Sequence, residues 1–317
     1  MGWWPDGVMT GPLRPEHTPA AVEVANAIAT ADDSGAYVVL DDLVESLNGA
    51  ESLGLWLDGR LAGYGLVFPP DIVDGQPIVA VKGGIDPAFR RRGLGGPLLD
   101  WQLRTAGEHA ELVDVGVEAD NAGGLALVAS RGFRPVRYYR VMQRWYDDRL
   151  VQVPSPPNGF AMIAFEPSYD ERLRLAYNEI FAGQWGVLPH DEDHWRTWFT
   201  GHRAFRPDLS RVVVAGDRIA AFALGYEFTV DTEHTGVREL WIGQVGARPE
   251  YRGRGLARAA MSGVLRAGQE AGFERSSLGV DADNPTSASR LYDSLGFVIV
   301  SSQIQHRLSL VRRSADG

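Results

Sequence analysis

The run Ala247-Arg248-Pro249-Glu250-Tyr251-Arg252-Gly253-Arg254-Gly255-Leu256-Ala257 carries the plainest chemistry in the chain. An apolar segment meets a proline, then an Arg- and Gly-rich turn, then a run of good helix formers. A strand–turn–helix of this kind aims several backbone N–H groups and the positive end of a helix dipole at one spot. Gly253 and Gly255 let the backbone approach an oxygen-rich ligand, and Arg252 and Arg254 add fixed positive charge. The spot suits a pyrophosphate. A single Gly-rich turn before a helix is equally a tight loop with solvated arginines. A repeat separates the two readings. Ile85-Asp86-Pro87-Ala88-Phe89-Arg90-Arg91-Arg92-Gly93-Leu94-Gly95 is a second copy of the block. Downstream of each copy, Asp120-Asn121 with Ser130-Arg131-Gly132-Phe133 matches Asp283-Asn284 with Ser294-Leu295-Gly296-Phe297. Two matched blocks in one order mark a duplicated domain.

The elements that must position these blocks follow one order twice. Val153-Pro154-Ser155-Pro156-Pro157-Asn158-Gly159 reads as an extended linker, which puts the halves at 1–152 and 158–317. In the first half, a helix is expected over Thr18–Ala29 and a hairpin over Leu53–Leu57 and Leu61–Phe68 across Asp58-Gly59. A strand over Ile78–Ile85, a helix over Leu98–Ala106, a strand over Leu112–Val117, a helix over Gly124–Ser130 and a strand over Phe133–Met142 follow. The second half repeats this with a strand at Phe160–Phe165 and helices at Tyr169–Phe181 and Asp193–Thr200. A hairpin over Val212–Ala215 and Ile219–Tyr226 comes next, then the strand Leu240–Ala247 and the helix Leu256–Ala271. Ser277–Val280, Ser287–Leu295 and Val298–Leu308 complete it as strand, helix and strand. The fold class is α/β, an α+β mixed-sheet domain written twice.

Composition removes several function classes. Hydrophobic residues make up 44% and charged residues 23% of 317, enough for a core in each half. A net charge of −10 argues against a nucleic-acid or anionic-membrane surface. Lys82 is the only lysine, which nearly removes Schiff-base chemistry. The chain has no cysteine, so disulfides, thiolate metal sites and a cysteine nucleophile are out. With no signal-peptide pattern and no apolar run of membrane-spanning length, the expected location is a reducing cytoplasm. A Rossmann dinucleotide turn fails on its third glycine, because Gly253-x-Gly255 is followed by Arg258.

The spacing Arg252-x-x-Gly255-x-Ala257 resembles the acyl-CoA-binding motif of the GCN5-related N-acetyltransferase (GNAT) family, and Arg90-x-x-Gly93-x-Gly95 matches it too. Asn284 through Ala288, Leu291-Tyr292 and Gly296-Phe297 resembles the family's second motif. The resemblance covers most of both halves. It implies two tandem GNAT domains forming a pseudo-dimer, each with two central strands that splay around the pantetheine arm of acetyl-CoA. It implies cofactor contacts at Val245, Ala247, Arg252, Gly253, Arg254, Gly255, Leu256, Ala257 and Asn284, and in the first half at Arg90, Gly93 and Gly95. No metal is implied. Tyr292 stands where the family places the tyrosine that protonates the departing thiolate, although a packed helix aromatic remains the other reading. The first half has Val128 there, so the second half is expected to be catalytic and the first non-catalytic.

For the base, Glu239 opens the strand before the loop, on the side shared by Trp241 and Val245 by simple alternation. Its counterpart in the first half is read as Pro77, and the other reading of Glu239 is a solvated strand-end carboxylate. Trp185 and Trp241 are candidate acceptor contacts, with the stretch from Gln184 to Phe199 as either an acceptor wall or a buried helix stripe. His190 and His194 invite a metal reading that the acidic residues between them fit less well than a helix first turn. The reaction expected is acetyl transfer from acetyl-CoA to the amine of a small molecule. The rivals are an acceptor of the kind used by mycothiol synthases, a tandem group in the same family, and a non-catalytic acyl-CoA sensor.

Overall fold

The computed structural model describes residues 4–35, 37–73, 75–182, 184, 189–282 and 288–310. The chain forms two compact units, Met1–Tyr139 with Ser301–Gly317, and Arg140–Val300. The Pro-rich stretch therefore lies inside the second unit, and the units part company with the division at 152 and 158 at the last strand of each half. Strand hydrogen bonding, which composition does not report, decides the membership.

The first unit runs β1 (Met9–Gly11), α1 (Thr18–Ala31), α2 (Leu40–Gly49), β2 (Glu51–Leu57), β3 (Arg60–Val67), β4 (Asp71–Val73) and β5 (Gln76–Ile85). It continues through α3 (Gly95–Ala106), β6 (Leu112–Glu118), α4 (Ala122–Ser130) and the start of β7 (Arg134–Trp145). The second unit takes the end of β7, then β8 (Ala161–Ala164), α5 (Asp170–Phe181), α6 (Glu192–Trp195), β9 (Arg211–Ala215), β10 (Arg218–Tyr226) and α7 (Thr229–Thr235). It closes with β11 (Glu239–Ala247), α8 (Leu256–Glu270), β12 (Arg275–Asp281), α9 (Ala288–Ser294) and the first residues of β13 (Val298–Ser309). Residues 301–309 of β13 belong to the first unit, where Gln303 to Ser309 pair antiparallel with Glu118 to Leu112.

Local sequence explains the hairpins. Asp58 and Gly59 both take positive φ (53° and 74°), the two-residue turn that matches strand twist. In each unit the two middle strands run parallel and pair over three residues only. Ile78, Val79 and Ala80 pair with Leu112, Val113 and Asp114, and Glu239, Leu240 and Trp241 pair with Arg275, Ser276 and Ser277. Both β5 and β11 run on for several residues beyond that point, so the strands splay as the family resemblance implies.

The second unit's sheet is covered on both faces. Leu240, Ile242, Leu256, Met261, Val264 and Leu278 are buried together on the α8 side. Leu173, Tyr177, Ile180, Trp195, Phe199, Phe222 and Tyr226 fill the α5 side. The helix expected over Asp193–Thr200 is instead a short α6 running into a π turn, Arg196–Thr200. Asp170 holds that turn by accepting bonds from Trp195 Nε1 and Thr200 Oγ1, both at 2.8 Å. Sequence patterning passed over α2, α7, β1 and β4. In α2 only Leu43 is buried, while Leu40 and Val44 are exposed, so no apolar stripe marks it. Among the described residues no helix is long and apolar enough to cross a membrane.

The strand that β13 lends to the first unit is fastened by charge. Arg307 binds Asp114 through Nε and Nη2 at 2.6 and 2.8 Å, and the Asp114 side chain is only 8% exposed. Removing one partner of a buried pair leaves the other uncompensated, which costs about 3–5 kcal/mol. Arg307→Ala is expected to destabilise the protein by that order in urea denaturation; a loss under about 1 kcal/mol would show the pair to be solvated.

Candidate active site

In the second unit the site begins where β11 leaves β12. The Arg248 N–H donates to the Ala220 carbonyl of β10 at 2.9 Å, and Gly246 and Gln244 face Phe222 and Leu224 in the same register. Backbone groups alternate sides along a strand, so the N–H groups of Val245 and Ala247 point away from β10, into the gap. The gap ends at the loop. Gly253 and Gly255 take φ of 75° and 78°, and an added Cβ at either would meet nothing within 4 Å. Glycine takes this left-handed turn without strain, and it leaves open space in front of the backbone. The helix bond from Ala259 N–H to the Gly255 carbonyl is 2.9 Å, and by helix geometry the amides of Leu256, Ala257 and Arg258 precede any intrahelical acceptor. With Arg254 exposed beside them, the arrangement has the chemistry to hold an anion.

Arg252 has a different post. Its Nε donates to the Ala247 carbonyl at 3.3 Å and its Nη2 to the Ile180 carbonyl at 3.4 Å. It ties the end of β11 to the end of α5 and braces the loop. The closeness of α5 is set by Gly246, whose missing Cβ would lie 2.6 Å from Ile180 Cγ2.

Tyr292 sits on α9, buried in the cluster that includes Leu256, Val280 and Phe297. Burial pushes its phenol up to about 12. Phe297 N–H bonds the Tyr292 carbonyl at 3.1 Å just as Phe133 N–H bonds the Val128 carbonyl at 3.2 Å, so Val128 and Tyr292 are structural counterparts. Trp241 is half-buried on the α5 side of β11. Asn284 and Trp185 lie outside the described residues. Trp195 and Phe199 are buried with rings stacked at 4.5 Å, whereas Trp198 is half exposed. The rings of His190 and His194 stack at 4.4 Å, and burial and the neighbouring His194 hold His190 below the usual imidazole range. Among the described residues no three His, Cys, Asp or Glu side chains gather as a metal site.

Glu239 is not brought to the others. It pairs with Arg275 at the closed, parallel end of β11, with side chains 11% and 16% exposed. Alternation also fails between Trp241 and Val245. The register with β10 jumps from Leu224↔Gln244 to Gly225↔Ile242, so Gly243 is an extra residue, a β-bulge. Trp241 therefore faces α5 while Val245 packs with the α8 cluster. The bulge has no counterpart in β5, so pairing aligns Glu239 with Ile78 rather than Pro77. The bulge also turns Gln244 to the α5 side, where Tyr226 donates to its Oε1 at 2.8 Å. Sequence reasoning missed this pair; the signal was a glycine followed by glutamine inside an apolar strand.

The first unit has the same frame with altered contacts. Asp86 N–H bonds the Ala62 carbonyl at 2.9 Å, which turns the Gly83 and Ile85 amides toward its gap. Gly93 is left-handed (φ 79°), but Arg91 takes the left-handed place that Gly253 has, with φ 64°. Gly95 is the first residue of α3, and its missing Cβ would pack 3.3 Å from Leu127. Arg90 donates to the Ile85 carbonyl at 3.2 Å and holds Asp32 through two bonds of 2.6 and 2.9 Å. Asp32 also accepts from Asn121 at 3.0 Å. One carboxylate thus stitches the end of β5 to the start of α4, across the mouth of that unit's gap. Burial, with Asp32 and Asp120 nearby, raises Glu118 at the same mouth.

This geometry defines an acyltransferase frame, and known proteins agree. The acetyltransferase (GNAT) family model matches residues 171–297. A mycothiol acetyltransferase of Thermobispora bispora is 31% identical over 82% of this chain and 84% of that protein. A second, from Kineococcus radiotolerans, is 31% identical over 94% of this chain and 95% of that protein. A crystal structure of a GCN5-related N-acetyltransferase from Sphaerobacter thermophilus superposes with a TM-score of 0.77 at 26% identity, covering 97% of both chains. A tandem GNAT protein of the clavulanic acid biosynthesis pathway shares the fold with a TM-score of 0.73 at 17% identity, over 97% of this chain and 100% of that one. The chain belongs to the GNAT family of acetyltransferases.

The Glu239–Arg275 pair yields a direct check. Glu239→Gln leaves Arg275 buried beside a neutral partner, so stability is expected to fall by about 3 kcal/mol in chemical denaturation. Acetyl-transfer kcat is expected to stay within a few-fold of wild type, whereas a drop of about 10²–10⁴ would restore Glu239 to the role of base.

Proposed function

We propose that the second unit transfers an acetyl group from acetyl-CoA to the amine of a small molecule. The observation that carries this reading is the gap beside β11, with the Val245 and Ala247 amides turned into it and a glycine-shaped anion cradle at its open end. The cradle amides and Arg254 suit the pyrophosphate, and the gap suits the pantetheine arm. The amine nitrogen attacks the thioester carbonyl, a C–N bond forms, and the oxyanion receives hydrogen bonds from main-chain donors of β11. The C–S bond then breaks, the sulfur takes a proton from Tyr292, and the nitrogen's surplus proton passes through water to restore the phenol. A phenol held near 12 keeps its proton at neutral pH, and because a thiol lies near 8.5 it gives that proton up only in concert with C–S cleavage and its own reprotonation.

Division of labour between the units supports the same reading. Val128 offers no proton where Tyr292 does, and Asp32 occupies Arg90 and Asn121 where the second unit's Arg252 meets only carbonyls among the described residues. The first unit is assigned a non-catalytic role. The mycothiol acetyltransferases at 31% identity favour an acceptor of the kind their name gives as a second, narrower reading. Trp241 on the α5 side of β11 is the feature to weigh in testing it. An absence of cysteine fits a cytoplasmic setting.

Two variants test the reading. Gly255→Val forces a β-branched residue into left-handed backbone and fills the space before the cradle, so calorimetry is expected to show acetyl-CoA affinity falling at least tenfold. Unchanged affinity would remove the loop from the donor site. Tyr292→Phe is expected to lower kcat by about 10²–10⁴ with little change in acetyl-CoA affinity. Because the phenol is protonated below about 12, Tyr292 itself imposes no loss of rate between pH 7 and 10. A Phe variant with wild-type kcat would return the ring to packing.

A further inference from the structure

The bulge at Gly243 does more than break alternation. The Tyr226 ring lies against Gly243, where an added Cβ would come within 2.6 Å of its Cε2. Its position is fixed by Phe205 at 5.5 Å and Phe228 at 6.3 Å. From there its hydroxyl donates to Gln244 Oε1. Burial, with the neighbouring Tyr177, pushes the Tyr226 phenol upward, so it remains a donor throughout the working pH range. With Oε1 accepting, the Gln244 carboxamide is turned so that its NH₂ has no partner among the described residues. Gln244 is half-buried on the α5 side of β11, beside Val245 whose amide faces the gap.

The first unit supplies an internal comparison. Leu66↔Lys82 and Leu224↔Gln244 are equivalent register pairs, so Lys82 stands for Gln244 and Phe68 for Tyr226. There the lysine Nζ lies 5.3 Å from the Phe68 ring centroid, with no phenol and no carboxamide. The hydrogen-bonded pair is present only in the unit that also has Tyr292.

We propose that Gln244, oriented by Tyr226, is an acceptor-positioning residue whose NH₂ donates to an oxygen next to the amine of the acceptor. The inference rests on the N-acetyltransferase reading above and narrows it to amines flanked by a hydrogen-bond-accepting oxygen, either a hydroxyl or a carbonyl. A half-buried amide donor left unmatched by an acceptor lacking that oxygen penalises it, which is how a polar site discriminates.

The test is a thiol-release assay with acetyl-CoA and matched amines: trans-2-aminocyclohexanol against cyclohexylamine, and alaninamide against isopropylamine. Wild type is expected to favour one or both oxygen-bearing partners by about tenfold or more in acceptor kcat/KM; the pair that discriminates tells hydroxyl from carbonyl. Gln244→Glu keeps the shape and the bond from Tyr226 but removes the NH₂, and Gln244→Leu removes both. Both are expected to bring the ratio close to unity through acceptor KM, with acetyl-CoA KM unchanged. Tyr226→Phe is expected to lower the ratio in the same direction. A merely structural role would lower both members of a pair together. An unchanged ratio in folded Gln244→Glu and Gln244→Leu overturns the proposal, as does a wild-type ratio of one in both pairs. Thiol release with none of the four amines, in a protein that binds acetyl-CoA, counts instead against the small-amine reading and takes the proposal with it.

Discussion

Everything at this site depends on two parallel strands that stop pairing. β11 and β12 share only Glu239–Trp241 with Arg275–Ser277, and past that point each strand presents backbone groups to a gap. An unmet buried amide costs about 1–3 kcal/mol, so a sheet opens this way only where something else satisfies the exposed edges. Water can do so in the free protein, and a ligand with amide and carbonyl groups along its length can do so better. The gap is thus a local weakness of the sheet and, on the proposed reading, the source of binding energy.

The rest of the unit holds the opening at a fixed width. Gly246 lets α5 lie directly on β11, and Arg252 ties the strand's end to α5 through carbonyls. At the closed end, the Glu239–Arg275 pair pins the two strands together. Charge read in the sequence as a base at Glu239 and a cofactor contact at Arg252 is spent on bracing at both ends of β11. What faces the gap itself is main-chain amides, which carry no side-chain signature.

Duplication lets one frame be read against another. Both units keep the short parallel pairing, the left-handed glycine at Gly93 or Gly255, and the helix after it. They differ in the side chains set around that frame. The first unit has Asp32 laced to Arg90 and Asn121, Val128 on α4 and Lys82 over Phe68. The second has Tyr292 and the Tyr226–Gln244 bond. Backbone architecture is shared where packing demands it, while the side chains to which the proposals assign a proton or an acceptor occur in the second unit alone.

The sequence by itself determined the duplication, the glycine-rich turns and the contrast of Val128 with Tyr292 at matched positions, because glycine spacing and residue type are local properties that need no partner. The hairpin at Asp58-Gly59 and the helix after Gly255 were legible for the same reason. Only the tertiary structure decided which unit owns residues 301–309, since that depends on β13 pairing with β6, far away in sequence. It also decided the fate of Glu239, whose partner Arg275 arrives on a different strand. Most consequential is Gly243. One extra residue shifts every later side chain on β11 to the other face, moving Gln244 to the α5 side and Val245 to the α8 side. A strand's side-chain period is two, so a bulge invisible to alternation inverts the reading of all that follows it.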